Sequence, residues 1–158
     1  MSSKPRLLLA FLLAVLLASL LASIFQTQAN LAALQAIGAP VPLNVRLGTT
    51  ALDLLGFTPT FILLSALGFV FALPLAAWLA RRMPALRWLI FVLAGAAAIW
   101  SALALANSVA PMPTLIAADR SPFGTLGLMA CGSVGALLFG LLGRRVRYRA
   151  QPTPSDSL

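Results

Sequence analysis

Apolar residues occur along the chain in four long runs, and most of the charged and turn-forming residues lie between or beside these runs. Crossing a hydrocarbon core of about 30 Å takes roughly 20 helical residues, and each run is close to that length. The runs are continuous in Leu and Ala, without the alternation of barrel strands, and helices satisfy their own backbone groups in lipid. The pattern predicts an all-α integral membrane protein, a four-transmembrane-helix bundle with spans at residues 7–25, 59–80, 88–106 and 123–143.

The positions of Lys and Arg predict how these spans are oriented. Short loops rich in Lys and Arg stay on the cytoplasmic side, so we expect both termini to be cytoplasmic. Trp78 and Trp88 flank one basic turn, as is usual for aromatic rings at an interface. Short arginine-rich loops and a Leu/Ala/Arg-rich composition favour a bacterial plasma (inner) membrane. Nine of the eleven basic residues lie on this face: Lys4, Arg6, Arg81, Arg82, Arg87, Arg144, Arg145, Arg147 and Arg149.

The first apolar run has a second interpretation. A short basic start, an apolar run and Thr27-Gln28-Ala29 together resemble a cleavable signal peptide. The apolar run is longer than the roughly 7 to 15 residues of a signal core, so we expect residues 1–29 to be retained. N-terminal sequencing that began at Asn30 would leave three spans.

A long segment between the first two spans, residues 26–58, is too apolar for a solvated loop and is predicted to follow the outer membrane surface. The first helix is expected to continue until Gly38, a common type of helix stop. Residues 43–55 place leucines and polar residues on opposite helical faces. This pattern predicts an interfacial amphipathic helix, with a helix docked against a partner as the alternative.

The remaining segments complete the predicted organisation. Residues 107–122 form the second outer loop, and residues 1–149 form a single transmembrane domain. Residues 150–158 are polar and short, and are predicted to be a disordered cytoplasmic tail.

Charged residues are rare on the predicted outer face. Arg46 and Asp53 lie in the first outer segment, and Asp119 and Arg120 lie in the second. We predict at least one ion pair between the two segments, which at an exposed surface contributes only about 0 to 1 kcal/mol. Together the four residues are predicted to form an outer docking patch.

Small residues at four-residue spacing mark surfaces where membrane helices pack closely. The most specific set is in the fourth span, because each glycine lowers helix stability by about 1 kcal/mol relative to alanine in water. We therefore predict a helix-packing face formed by Gly124, Gly132, Ala136 and Gly140, against a helix of this chain or of a partner. Pro74 interrupts the second span and predicts a helix kink.

The composition restricts the chemistry that this chain can perform. Charged residues make up 9% of the sequence, against about 25% in an average soluble domain, and all three acidic residues are Asp. The absence of His and Glu removes imidazole ligands and most acid–base catalysts, and a single Cys provides no dithiol. No carboxylate lies within a predicted span. We expect no catalytic residues, no cofactor, no metal site and no enzymatic activity from this chain alone.

The formal charge of +8 and the pI near 11.8 could indicate a nucleic-acid partner, but membrane topology accounts for most of that charge. We expect no nucleic-acid binding. The last basic cluster is interpreted either as a stop-transfer flank or as a contact for anionic lipid. Its residues are Arg144, Arg145, Arg147 and Arg149.

Three functional hypotheses remain, and all of them place the protein in a lipid bilayer. The first is a non-catalytic accessory or assembly subunit that docks against the transmembrane helices of a partner protein or of another copy. The second is a small transporter or channel, which can be homo-oligomeric, with span hydroxyls lining a path. The third is a lipid-binding or lipid-sensing protein.

Overall fold

Four long helices make up almost all of the described chain. The computed structural model describes residues 3–109, 119 and 121–148, with the side chains of residues 5–109, 119 and 121–143. Of these residues 94% are helical and none is in a strand. The helices are α1 (Ser3–Ala36), α2 (Leu43–Arg82), α3 (Arg87–Val109) and α4 (Pro122–Tyr148), with a short 3₁₀ turn at Pro84–Leu86.

Each of the four helices is long and apolar enough to cross a membrane, and each contains one predicted span. The chain is therefore a multi-pass membrane protein by length and composition. Helix α1 contacts α2 and α4, and α3 also contacts α2 and α4, so the first helix lies beside the last. The buried core contains large apolar side chains of α2, α3 and α4, including Phe61, Phe69, Phe91, Ile99 and Leu128.

The end of α1 follows the sequence prediction. Gly38 has a φ of +84°, a conformation that glycine adopts without a steric penalty. The Gly38 N–H donates to the Gln35 carbonyl at 3.0 Å, and the Ala39 N–H donates to the Leu34 carbonyl at 3.1 Å. These two bonds form a Schellman motif, which satisfies the last carbonyls of the helix. The predicted helix stop at Gly38 is confirmed.

The start of α4 is also encoded locally. The Ser121 hydroxyl accepts a hydrogen bond of 3.0 Å from the Gly124 N–H, as expected of an N-cap serine. Pro122 occupies the first helical position, where a missing N–H has no cost.

The separate interfacial helix predicted at residues 43–55 is not observed. Helix α2 continues from Leu43 through Pro59 and Pro74 to Arg82. Both prolines are exposed and lie inside the helix. Each lacks a backbone donor, and its ring crowds the carbonyl one turn earlier, yet the helix continues past both. The bend predicted at Pro74 stays a prediction.

The first part of α2 lies against α1. Side-chain contacts join Gln35 to Arg46 and Thr27 to Asp53, and a deeper contact joins Ser19 to Ser65. Residue numbers on α2 rise as those on α1 fall, which describes one antiparallel helical hairpin. Residues 26–36 of α1 and 43–58 of α2 are called the outer hairpin below.

Candidate functional site

Arg46 is held at the centre of the outer hairpin by two glutamines of α1. Its Nη1 donates to Gln28 Oε1 at 3.0 Å, and its Nη2 donates to Gln35 Oε1 at 3.0 Å. Gln28 Nε2 in turn donates to Thr50 Oγ1 at 3.2 Å. The Arg46 guanidinium therefore links α2 to two positions on α1 that are two turns apart, and Gln28 extends this network to Thr50 on α2.

Asp53 lies two turns further along α2, toward the spans. It accepts a hydrogen bond of 2.7 Å from Thr27 Oγ1, and Thr27 is fully buried. Hydrogen bonds to an ionised acceptor are stronger than neutral ones, so this contact ties the two helices together. The carboxylate is half-buried and faces α1.

Apolar side chains cover the outside of the same hairpin. The exposed fractions of Ile37 and Leu55 are 79% and 78%. A hairpin surrounded by water would have the opposite arrangement, with apolar residues inside and polar residues outside. The large exposed apolar residues of the outer hairpin, together with Ile37 directly after α1, are called the outer apolar surface: Leu34, Ile37, Leu43, Val45, Leu47, Leu52 and Leu55.

Helices α1 and α2 are both longer than the thickness of a hydrocarbon core. The two helices have 34 and 40 residues. At a rise of about 1.5 Å per residue these lengths are about 51 and 60 Å, against a core of about 30 Å. Even a tilt of about 40° leaves both helices longer than the core. Lipid tails therefore cannot cover the full length of either helix.

A row of hydroxyl groups continues from Asp53 into the spans between α1 and α2. Ser19 Oγ and Ser65 Oγ lie 3.1 Å apart, and both residues are fully buried. Each also donates to the carbonyl one turn earlier in its own helix. Between this pair and the Thr27–Asp53 contact, the hydroxyls of Ser23 and Thr58 are buried with no hydrogen-bond partner among the described residues.

Asp119 belongs to a different polar cluster. Its two carboxylate oxygens accept hydrogen bonds from Asn107 Nδ2 at 2.6 Å and from Thr125 Oγ1 at 2.7 Å. These contacts join the end of α3 to the start of α4. The Asp119 carboxylate thus accepts hydrogen bonds from two neutral side chains, one on α3 and one on α4.

The predicted outer docking patch is therefore divided between two clusters. Among the described residues, Arg46 and Asp119 each bond to neutral side chains, and the structure shows no ion pair between them. Asp53 bonds to Thr27. The fourth member, Arg120, lies outside the described residues, so a pair with Asp53 stays a prediction.

The predicted helix-packing face of α4 lies mainly against α3 of the same chain. A Cβ atom on Gly132 would lie 2.8 Å from the Gly95 carbonyl oxygen, and one on Gly140 would lie 2.6 Å from the Phe91 ring. Ala136 is fully buried beside Gly95. Gly124, the remaining member of the set, is also buried.

A second small-residue face of α4 was not predicted. A Cβ on Gly135 would lie 2.6 Å from the Ala14 carbonyl oxygen of α1, and Ala18 is fully buried at the same contact. The alanine series of the first span was the available signal, because Ala10, Ala14, Ala18 and Ala22 are all buried.

The basic cluster after the fourth span is only partly described. Residues 144–148 continue α4, and their side chains lie outside the described part of the structure, as does residue 149. The contact with anionic lipid predicted for Arg144, Arg145, Arg147 and Arg149 stays a prediction.

Sequence reasoning also missed four residues of the outer hairpin. Their only signal was that they are polar residues in otherwise apolar helices: Thr27, Gln28, Gln35 and Thr50.

The described side chains contain no cluster of three or more His, Cys, Asp or Glu that could hold a metal ion. Cys131 is a half-buried free thiol in α4.

The chain matches no protein-family model, no curated protein and no solved structure. Its function is therefore inferred from its own residues and their geometry.

Proposed function

We propose that the protein is a non-catalytic accessory or assembly subunit of a membrane complex. In this proposal the spans form a four-helix bundle in a bacterial inner membrane with both termini in the cytoplasm. The outer apolar surface docks against a larger membrane partner on the opposite side.

The observation that supports this proposal is the polarity of the outer hairpin. The charged groups Arg46 and Asp53 face α1 and have their hydrogen-bond partners within the chain. The outer apolar surface faces outward, at the outer ends of two helices that are longer than the hydrocarbon is thick. Contiguous exposed apolar surface on a folded protein usually marks an interaction site.

Helices α1 and α2 also hold the outer apolar surface in a fixed position. Residues on well-packed helices hold their positions more accurately than residues on loops, which reduces the ordering cost of binding. The bonds from Arg46 and Thr27 fix the outer hairpin as one body.

The test is a pair of double substitutions with matched exposure. Leu52 and Leu55 are 72% and 78% exposed on the outer hairpin, and Leu63 and Leu126 are 74% and 62% exposed within the spans. Changing Leu52→Ala with Leu55→Ala should lower the amount of co-purified partner by about tenfold or more, because apolar anchors carry most of the binding free energy. Changing Leu63→Ala with Leu126→Ala should leave it unchanged.

The measurement is affinity purification from native membranes in mild detergent, followed by quantification of the proteins recovered with the tagged chain. Unfolding of each variant in detergent gives the control for folding. Migration of the unaltered protein as a lone monomer at native expression would contradict the proposal. Equal losses for the two double substitutions would show that the outer apolar surface is not the contact.

A further inference from the structure

Three buried side-chain oxygens of α1 and α2 have no hydrogen-bond partner in the part of the chain that the structure describes. They are Ser23 Oγ and Gln26 Oε1 on α1 and Thr58 Oγ1 on α2. The exposed fractions of the three residues are 0%, 9% and 5%. Buried polar groups in folded proteins are almost always hydrogen-bonded, and beside lipid no bulk water can replace a partner. Three such oxygens therefore point to a bound molecule, provided that the fold brings them together.

Ser23 and Gln26 lie on the face of α1 that contacts α2. They follow Ser19 by four and seven residues, a spacing that keeps all three side chains on one side of a helix. Ser19 Oγ lies 3.1 Å from Ser65 Oγ of α2. The two unpartnered oxygens of α1 therefore lie one to two turns beyond this contact, toward the outer hairpin.

Thr58 lies at the same level on α2. It precedes Ser65 by two turns on the buried stripe of that helix, and it follows Asp53. The α1 partners of Ser65 and Asp53 are Ser19 and Thr27, and the unpartnered oxygens of α1 lie between these two. Because the helices are antiparallel, the two stretches face each other. The three oxygens therefore share one level of the α1–α2 interface, with a direct polar contact on either side.

The two unpartnered hydroxyls differ from the other hydroxyls of this interface. Hydroxyls in helices commonly donate to the carbonyl one turn earlier in their own helix. Three do so here: Ser19, Thr27 and Ser65. Ser23 and Thr58 do not, so each keeps a proton to donate and lone pairs to accept. Gln26 Oε1 can only accept.

One water molecule matches this set of donors and acceptors. It can donate one proton to Gln26 Oε1 and the other to one hydroxyl, and it can accept a proton from the second hydroxyl. Buried waters make about three hydrogen bonds on average, which is the number offered here. A metal cation would have three neutral ligands at this level, and burying a charge without an opposite charge is costly. An apolar ligand would satisfy none of the three oxygens.

We propose that α1 and α2 hold one buried water molecule between Ser23, Gln26 and Thr58. Gln26 directly follows the first predicted span and Thr58 directly precedes the second, so the water bridges the two helices where they enter the hydrocarbon. With it, polar contacts join α1 and α2 without interruption from the outer hairpin to Ser65. This site is distinct from the outer apolar surface and does not depend on the proposed partner.

The first test is the sign of a stability change, measured by reversible unfolding in mixed detergent. Thr58→Val removes the hydroxyl and keeps the shape of the side chain. If the hydroxyl holds the water, the equilibrium constant for unfolding should rise about three- to tenfold, because a hydrogen bond is lost and its other partners stay buried. Thr60→Val is the control, since Thr60 is exposed on the same helix, and it should change the constant by less than about twofold. A hydroxyl with no partner is buried at a cost, so a fall in the constant for Thr58→Val would overturn the proposal.

A double substitution tests whether the water is shared. Ser23→Ala alone should also raise the unfolding constant. Ser23→Ala with Thr58→Val should raise it no further than the more damaging single change, because the water is already lost with its first partner. Effects of the two changes that multiply would mean that the hydroxyls act separately, and would refute a shared water.

The identity of the bound molecule is tested by changing the salt. Unfolding constants in NaCl, KCl and choline chloride at equal ionic strength should be the same. Stabilisation by Na⁺ or K⁺ that Thr58→Val abolishes would identify a cation site instead. A crystal structure in which ordered waters are visible should show one peak within about 3.2 Å of all three oxygens. Direct hydrogen bonds among the three side chains, with no such peak, would reject the water.

Discussion

Gly95 and Gly132 bring the backbones of α3 and α4 into direct contact. A Cβ atom on Gly95 would overlap the Gly132 carbonyl oxygen and would lie 2.7 Å from the Ala136 Cβ. Neither the carbonyl nor the alanine methyl group can rotate away, so the two helices would have to separate. Close backbone approach of this kind is a main source of helix association in membranes, where apolar side chains gain little by leaving lipid.

Gly95→Ala should therefore lower the free energy of unfolding by about 1 to 3 kcal/mol, the usual cost of overpacking a core. Gly56→Ala is the matched control, since no atom lies within 4 Å of a Cβ at that helical position. That variant should be as stable as the parent or up to about 1 kcal/mol more stable. Reversible unfolding in mixed detergent measures both values, and similar effects for the two variants would contradict the close contact.

The limits of sequence reasoning are visible at these glycines. Their spacing in the fourth span was sufficient to predict Gly132, Ala136 and Gly140 as a packing face. Gly95 was missed because it lies among several alanines of the third span, and a stripe of small residues does not indicate which helix it contacts. Only the order of the helices in space decides that α3 meets one face of α4 and α1 meets the other.

Helices α1 and α2 behave as one element, because polar contacts join them from Gln35 and Arg46 down to Ser19 and Ser65. The pairing fixes their register from Ser19, in the last third of the first span, to Gln35 near the end of α1. A shift by one residue would turn Thr27 away from Asp53 and leave a half-buried carboxylate without its donor.

Cysteines at the deepest contact of this hairpin should form a disulfide. In a Cys131→Ala background, Ser19→Cys with Ser65→Cys places two thiols where hydroxyl oxygens lie 3.1 Å apart, and small adjustments reach disulfide geometry. Ser19→Cys with Ser101→Cys is the control, since Ser101 is exposed on α3. Oxidation in membranes followed by counting free thiols with a maleimide reagent measures both, and oxidation of the control at an equal rate would argue against the register.

The sequence alone distinguished the polar face of residues 43–55 from the apolar face. It did not identify what each face contacts. The pattern predicts water on one side and lipid on the other, with a helix docked against a partner as the alternative. In the structure Arg46 and Asp53 face α1, and Leu43 and Leu47 face outward. Periodicity reports that a helix has two different environments, and it does not identify which environment is polar protein and which is lipid or a partner.

For the molecule as a whole, the distribution of basic residues predicts an orientation in the membrane that labelling can test. Nine of eleven lie at one end of the helices, which should remain in the cytoplasm. In a Cys131→Ala background, a cysteine introduced by Gly48→Cys should react with a membrane-impermeant maleimide added to intact cells or spheroplasts. One introduced by Ala85→Cys should react only after the membrane is permeabilised. The reverse labelling pattern would mean that the outer hairpin lies in the cytoplasm.

The number and position of the four helices could be predicted because long apolar runs have few alternatives in a chain of this composition. The arrangement of the helices could not be predicted, because Leu and Ala occur on all four helices and do not indicate which helix packs against which. Contacts between residues far apart in sequence supply that information, such as the Phe25 and Phe123 rings, whose centres lie 6.2 Å apart.

The contact between the first and last helices sets an order of events during synthesis. The α1–α2 hairpin has all its contacts available once the second span has left the ribosome, whereas Ala14 and Ala18 meet Gly135 only after the fourth span is inserted. Until then the alanine face of α1 is open to other membrane helices, including those of a chaperone or protease. A nascent chain that stops before α4 therefore displays a recognition surface that the finished protein conceals.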